Sequence, residues 1–114
     1  MKIIHILPEL EEGGVERHVL WLTEELSFRG HDVTVISSGG KMVSRLASGV
    51  NHLALPVDAK NPLTAFFCAR KIARLAAREN VQLLHAHSRV PAWIARWAAG
   101  MAKIPYVVTA HVVF

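Results

Sequence analysis

Apolar residues in this chain come in short runs, separated by segments in which they recur every third or fourth position. Ile3-Ile4-His5-Ile6-Leu7 is nearly continuous and ends at Pro8, which predicts a strand buried on both faces over Lys2–Leu7. Val15, Val19, Leu22 and Leu26 recur at helical spacing, and predict a helix from Gly14 to Arg29. Gly30 follows, the residue type that most readily takes the left-handed conformation past a helix end. Asp32–Ser37 is rich in β-branched residues and predicts a second strand. Lys41–Ala47 predicts a short helix, and His52–Leu55, closed by Pro56, a third strand. Asn61 followed by Pro62 is an amino-terminal helix cap, for a helix that runs to Glu79. Val81–Ala86 predicts a fourth strand, Val90–Ala102 another helix, and Ile104–Thr109 a fifth strand.

Strands alternating with helices predict an α/β fold, a Rossmann-like, doubly wound parallel sheet of about five strands. The expected order is 3-2-1-4-5, with strands one and four on either side of the switch in direction. Ligands of such sheets collect beyond the carboxyl ends of the strands near that switch. Three segments fall there: Gly13-Gly14 after strand one, His85-Ala86-His87-Ser88 after strand four, and His111 after strand five. The 114 residues suffice for one domain, 1–114, and 52% hydrophobic residues supply a sizeable core.

Composition narrows the setting. No apolar run approaches the length of a membrane span, and Met1-Lys2 leads straight into a strand, so no signal peptide is expected. The lone Cys68 excludes an internal disulfide and fits a reducing, cytoplasmic compartment. Its place among alanines suits a small core residue. Charge is uneven. Residues 1–58 hold five Lys/Arg against eight Asp/Glu, whereas residues 59–114 hold eight Lys/Arg against Glu79 alone. The second half is therefore expected to meet an anionic partner or to be a solvated basic face. Arg70, Lys71, Arg74 and Arg78 share one face of the Pro62–Glu79 helix, with Phe66 and Phe67 beside them. Basic residues next to exposed aromatics suit the surface of an anionic membrane; the alternative tucks both rings under the Asp58–Asn61 loop. No nucleic-acid motif accompanies the charge, so no nucleic-acid partner is expected.

The chemistry is local. Gly13-Gly14 allows close backbone approach, and the first turn of the following helix offers free N–H groups and a positive dipole end to an anion. Glu16 lies in that turn. The plain alternative is a tight loop, and Glu11-Glu12 would repel an anion. His85 and His87 share a strand face and suit hydrogen bonding to a ligand or capping of the next helix. No third metal ligand is evident, so no metal site is expected. His5 is expected to be a core histidine bonded to a neighbour. His18 faces either the cleft or solvent, and His31 and His52 read as loop or surface residues.

Taken in order and spacing, four segments resemble one family. They are Gly13-Gly14-Val15-Glu16-Arg17-His18-Val19, Leu26–Val35, Leu84-His85-Ala86-His87-Ser88, and Val107-Val108-Thr109-Ala110-His111. Together they are similar to the amino-terminal domain of GT-B glycosyltransferases of family 4, over nearly the whole chain. The resemblance implies retaining transfer of a sugar from a nucleotide sugar, the donor substrate, to a glycan or lipid-linked acceptor, with no further cofactor and no metal. It implies that Gly13-Gly14 lies against the donor's diphosphate and sugar, that His111 is catalytic, near the reacting sugar, and that Glu16, His85, His87 and Ser88 belong to donor or acceptor binding. It also implies a second, nucleotide-binding domain that this chain lacks, so the 114 residues alone are expected to be inactive. Membrane contact would be peripheral, on the inner face. Strand five is expected to be an open edge that promotes self-association. The competing readings are a standalone Rossmann-type binding domain and a flavodoxin-like or receiver domain; the latter is weakened by the absence of a receiver's acidic cluster.

Overall fold

The computed structural model describes residues 1–10 and 14–109. Its strands are β1 (Lys2–Ile6), β2 (Asp32–Ser37), β3 (Val50–Ala54), β4 (Leu83–His87) and β5 (Tyr106–Thr109). Its helices are α1 (Gly14–Phe28), α2 (Pro62–Glu79) and α3 (Arg89–Ala102), with a short 3-10 turn over Lys41–Arg45. All strand pairs are parallel, in the order β3-β2-β1-β4-β5, as the alternating pattern predicts. The switch in direction falls between β1 and β4.

Side chains alternate across the sheet, and the two faces have separate cores. Ile4 and Ile6 of β1 and Leu84 and Ala86 of β4 pack under α2 and α3. Leu7, Val33 and Val35 pack with Val19 of α1 and Met42 of the 3-10 turn. The contact between α2 and α3 is built from small residues. Ala65, Ala69, Ala73 and Ala76 of α2 and Ala95, Ala98 and Ala99 of α3 are all buried. Cys68 lies in the same core, fully buried, and burial pushes its thiol above its ordinary range, so it is inert.

Helix ends follow the expected chemistry. Asn61 Oδ1 accepts from the Leu63 N–H at 2.9 Å, with Pro62 in the first helical position. Gly30, at φ +90, ends α1, and the His31 N–H returns to the Leu26 carbonyl. Several boundaries differ from the sequence reading because backbone groups are already committed elsewhere. The Val81 N–H closes the end of α2 on the Ala76 carbonyl, so β4 begins at Leu83 and reaches His87. The Ile104 N–H closes α3 on the Ala99 carbonyl and Pro105 has no N–H, so β5 begins at Tyr106. Pairing with β2 runs from Val50 to Ala54, which starts β3 two residues before His52. Leu46 is extended, which stops the 3-10 turn before Ala47.

At the carboxyl edge the loops after β1 and β2 are tied together. The Ser38 N–H donates to the Pro8 carbonyl, the Leu10 N–H to the Gly39 carbonyl, and the Met42 N–H to the Leu10 carbonyl. Leu10 is fully buried. It anchors the chain just ahead of residues 11–13. On the far side β5 is an edge strand on which Tyr106, Val107 and Val108 stay 40–46% exposed. Residues 110–114, which follow β5 in the sequence and include His111, lie outside the described residues.

Asn80 and Lys103 both take left-handed backbone, at φ 57, as the residues closing α2 and α3. Asn tolerates this conformation; a Lys in it costs about 1 kcal/mol. Lys103→Gly keeps the capping N–H and removes the Cβ. It should stabilise the chain by roughly 0.5–1 kcal/mol, seen as a rise of a few degrees in thermal midpoint by circular dichroism. A lower midpoint would show that the Lys103 side chain contributes more than its backbone costs.

Candidate functional site at the carboxyl edge

The pairing of β1 with β4 sets His5 directly beside His85. Strand alternation puts His87 on the same face, two residues on. Three imidazoles thus stack across the switch point. Ring centroids are 4.8 Å apart for His5–His85, 5.4 Å for His5–His87 and 4.3 Å for His85–His87, and the last two pairs are within 21° of parallel. His5 Nδ1 and His87 Nε2 share a hydrogen bond of 3.1 Å. His85 Nε2 and Thr109 Oγ1 share one of 2.6 Å, which ties β4 to β5. His5 and His87 are fully buried and His85 is half-buried. Burial first, then His85 and His18, lowers His5 to about 3, so its ring is neutral at ordinary pH. His5 is the core histidine expected, and its bonded neighbour is His87.

The stack also supplies the third ligand that sequence spacing did not suggest. The nitrogens of His5, His85 and His87 lie within 4.8 Å of one another. A tetrahedral ion at about 2.0–2.1 Å from each nitrogen holds its ligands about 3.4 Å apart. Near-parallel rings direct their in-plane lone pairs side by side rather than at one point. The rings would have to turn to enclose an ion, whereas the stacked hydrogen bond needs no change.

Helix α1 lies over this stack. The His18 ring meets that of His87 edge-on at 6.4 Å, although the His18 side chain is exposed overall. Gly14 is exposed and Glu16 half-buried, the first and third residues of the same first turn. The amino-terminal turns of α1 and the end of β4 therefore face each other. Gly13 and His111, the other two parts of that cleft, lie outside the described residues.

Ser88 joins β4 to α3 with φ 85 and ψ 172, a region almost confined to glycine. Such a residue costs about 1–3 kcal/mol and persists where its surroundings over-determine it. Its side chain makes no capping hydrogen bond to α3. The strain sits where β4 delivers His87 to the carboxyl edge; the sequence carried no sign of it, since a serine there reads as an ordinary cap.

His52, expected at the surface, is instead a bonded residue of β3. The Gly39 N–H donates to Ser37 Oγ at 3.1 Å, and the same hydroxyl shares a 2.7 Å hydrogen bond with His52 Nε2. Burial lowers His52. The reason is register: pairing with β2 carries His52 opposite Val35, within reach of Ser37.

The basic face of α2 is as expected. Arg70, Lys71, Arg74 and Arg78 are exposed. Phe66 and Phe67 are 48% and 54% exposed, beside Leu63 at 81%, so neither ring is tucked away. Lys71 Nζ sits 4.8 Å over the Phe67 ring, and Phe66 meets Trp97 of α3 edge-on at 6.0 Å. Helix α3 extends the surface with Trp93, 50% exposed, under the Arg96 guanidinium. Sequence reasoning missed this part; the helical spacing of Trp93, Arg96 and Trp97 was the available signal. A cavity of about 290 Å³ opens elsewhere, lined in part by Lys2, Asp32, Asn51 and Glu79. It gathers ion pairs of Lys2 with Asp32 and Glu79 and, of the histidines above, His52 but none of the stack.

Three comparisons bear on this geometry. The family model for Glycosyltransferase Family 4 matches residues 12–114. A phosphatidyl-myo-inositol mannosyltransferase of Mycolicibacterium smegmatis is 30% identical over 104 residues, which are 87% of this chain and 27% of that protein. The chain thus spans little more than a quarter of that relative. Among solved structures, a glycosyltransferase from Rickettsia africae superposes with a TM-score of 0.85 at 30% identity, over 99% of this chain and 30% of that one. Acinetobacter baumannii MurG superposes at 0.73 with 14% identity, over 96% and 34%, and shows the shared fold alone.

Acid should test the histidine stack. Below 6.5, the ordinary histidine value, the unfolded chain takes up a proton at position 5 that the folded chain refuses until about pH 3. Stability therefore falls as pH falls through that window, by up to about 1.4 kcal/mol per unit for one proton. The lowering of His52 acts with the same sign. The urea midpoint should be flat above about pH 7 and drop steeply between about pH 6 and 4, and His5→Leu should make that drop shallower. Parallel drops in the two proteins would remove His5 from the acid response.

Proposed function

Because the chain belongs to Glycosyltransferase Family 4, we propose that it forms the acceptor-side, amino-terminal half of an enzyme that transfers a sugar from a nucleotide sugar with retention of configuration. The observation that carries this reading is the family match over residues 12–114 in a register that sets His85–Ser88 at the switch point of the sheet. The donor's diphosphate leaves with growing negative charge. N–H groups fixed at the start of α1 stabilise that charge without reorganising, which is the role given to Gly13-Gly14. His111 is the catalytic candidate beside the reacting sugar, and Glu16, His85, His87 and Ser88 line the donor and acceptor side. A facing domain would supply the nucleotide pocket and close the cleft, removing much of the entropic cost of bringing two substrates together. The reading invokes no cofactor beyond the donor.

The acceptor side of the proposal is a lipid-linked or membrane-borne substrate, as the name of the mycobacterial relatives suggests for those proteins. No helix among the described residues is long and apolar enough to cross a membrane. The reading has the protein cytoplasmic and peripheral, held to the inner, anionic leaflet by the surface of α2 and α3. Leu63, Phe66, Phe67 and Trp93 would enter the headgroup region, with Arg70, Lys71, Arg74 and Arg78 against lipid phosphates. The open edge of β5 is the surface through which isolated chains would pair.

Two measurements test this. The 114-residue chain alone should turn over no nucleotide sugar, and transfer should appear when it is part of a protein carrying the second domain. In that protein Gly14→Val should cut turnover sharply without loss of fold, since a Cβ at Gly14 meets nothing within 4 Å among the described residues and an approaching ligand would feel the new side chain. Undiminished turnover would take the loop out of the mechanism. Separately, the chain should co-sediment with vesicles containing phosphatidylserine or phosphatidylinositol and stay in solution with phosphatidylcholine alone. At about 1 kcal/mol per basic residue, the double change Arg70→Ser, Arg74→Ser should weaken that binding tenfold or more, and Phe66→Ser should weaken it at every salt concentration. Equal binding to neutral vesicles would remove the anionic leaflet from the proposal.

A further inference from the structure

We propose that His5 is a positioning residue that locks His87 in a single tautomer, with the His87 proton on Nδ1 and Nε2 turned inward as an acceptor. The inference starts from a count of protons. His5 is fully buried in the middle of β1. Its Nδ1 shares a 3.1 Å hydrogen bond with His87 Nε2. Its other nitrogen, Nε2, is buried and has no hydrogen-bond partner among the described residues.

A neutral imidazole carries one N–H, so two arrangements can make the bond. In the first, the proton of His5 is on Nδ1 and is donated to His87 Nε2, and a bare lone pair is left at His5 Nε2. In the second, His87 Nε2–H donates inward, and the His5 proton is stranded on Nε2 with no acceptor. A buried polar group without its partner costs about 1–3 kcal/mol, and orphaned N–H donors are the rarer kind in folded proteins. The first arrangement is therefore the stable one.

A charged pair offers no escape. The groups whose charge His5 feels are His85 of β4 and His18 of α1, both able to become cationic. His87 of β4 is its bonded partner, and β2 presents the apolar Val35 opposite it. None of these would stabilise an extra proton. Protonating His87 at Nε2 would also turn the shared bond around and strand a proton on His5.

The consequence reaches the carboxyl end of β4. With Nε2 engaged from beneath, the proton of His87 is on Nδ1, and that nitrogen is a fixed donor rather than a base. It sits one residue before the strained Ser88, at the end of β4. A fixed N–H donor on the buried His87 ring can orient the groups packed on it, and through them the edge that receives a substrate. That use rests on the transferase reading; the tautomer itself does not, so the two can fail separately.

Long-range 1H–15N correlation spectra of the 15N-histidine-labelled chain, at a pH where the rings are neutral, report tautomers directly. His87 should show one tautomer, protonated on Nδ1. His5→Leu, similar in bulk and unable to donate, should convert it to a mixture with a substantial Nε2–H population. His5→Asn carries an amide N–H at the level of Nδ1 and should restore the single Nδ1–H form. A wild-type His87 protonated on Nε2 would overturn the proposal, as would an unchanged His87 signal in a His5→Leu chain with native circular dichroism. If His5→Leu fails to fold, the wild-type tautomer and the Asn variant decide. Added Zn2+ at one equivalent should leave the three ring signals unmoved. Stoichiometric shifts of all three would mean the stack is a metal site and would also overturn it.

Discussion

The parallel pairing of β1 with β4 is the contact on which the rest of this fold depends. It buries both strands on both faces, so each must carry its polar groups in partnership or not at all. On the face under α2 and α3 the solution is aliphatic: Ile4, Ile6, Leu84 and Ala86. On the other face the same pairing brings His5 against His85 and His87. Polar rings are tolerated there because each has a nitrogen engaged, through one hydrogen bond inside the stack and another to Thr109, with His5 Nε2 left as a buried nitrogen without a partner among the described residues. The switch point is thereby both the best-buried line of the sheet and its most polar one.

That duality explains which features the sequence revealed. The order of strands, the two-sided burial and the cap at Asn61 were all legible, because each depends on residues close together in the chain. The face shared by His85 and His87 was legible for the same reason. The identity of their third neighbour was not. His5 is 80 residues from His85, and only the register of β1 on β4 joins them. His52 was misjudged on the same grounds: without the pairing of β3 with β2, nothing connects it to Ser37.

Ser88 and the aromatic surface were hidden in other ways. Backbone strain leaves no trace in a residue's identity when the residue is one that commonly precedes a helix. The aromatic surface was half visible, because Phe66 and Phe67 share a helix with their basic neighbours. Trp93 and Trp97 belong to the next helix, and it takes the packing of α3 on α2 to join them to the same patch. Strand boundaries shifted where helix ends had already used the backbone groups of Val81 and Ile104.

The alanine seam between α2 and α3 has a mechanical meaning. Residues this small let two helices approach closely and leave no long side chains between them to give way. Close packing of this kind makes the pair a stiff plate. One outer face of the plate carries the phenylalanines, tryptophans and arginines. One corner of it is Ser88, where α3 starts directly after His87. A plate pressed or tilted from its outer face has little internal slack, so displacement reaches that corner largely undiminished. Enlarging a seam residue such as Ala69 or Ala98 would wedge the plate open, and the outer face and the edge of the sheet would then no longer move together.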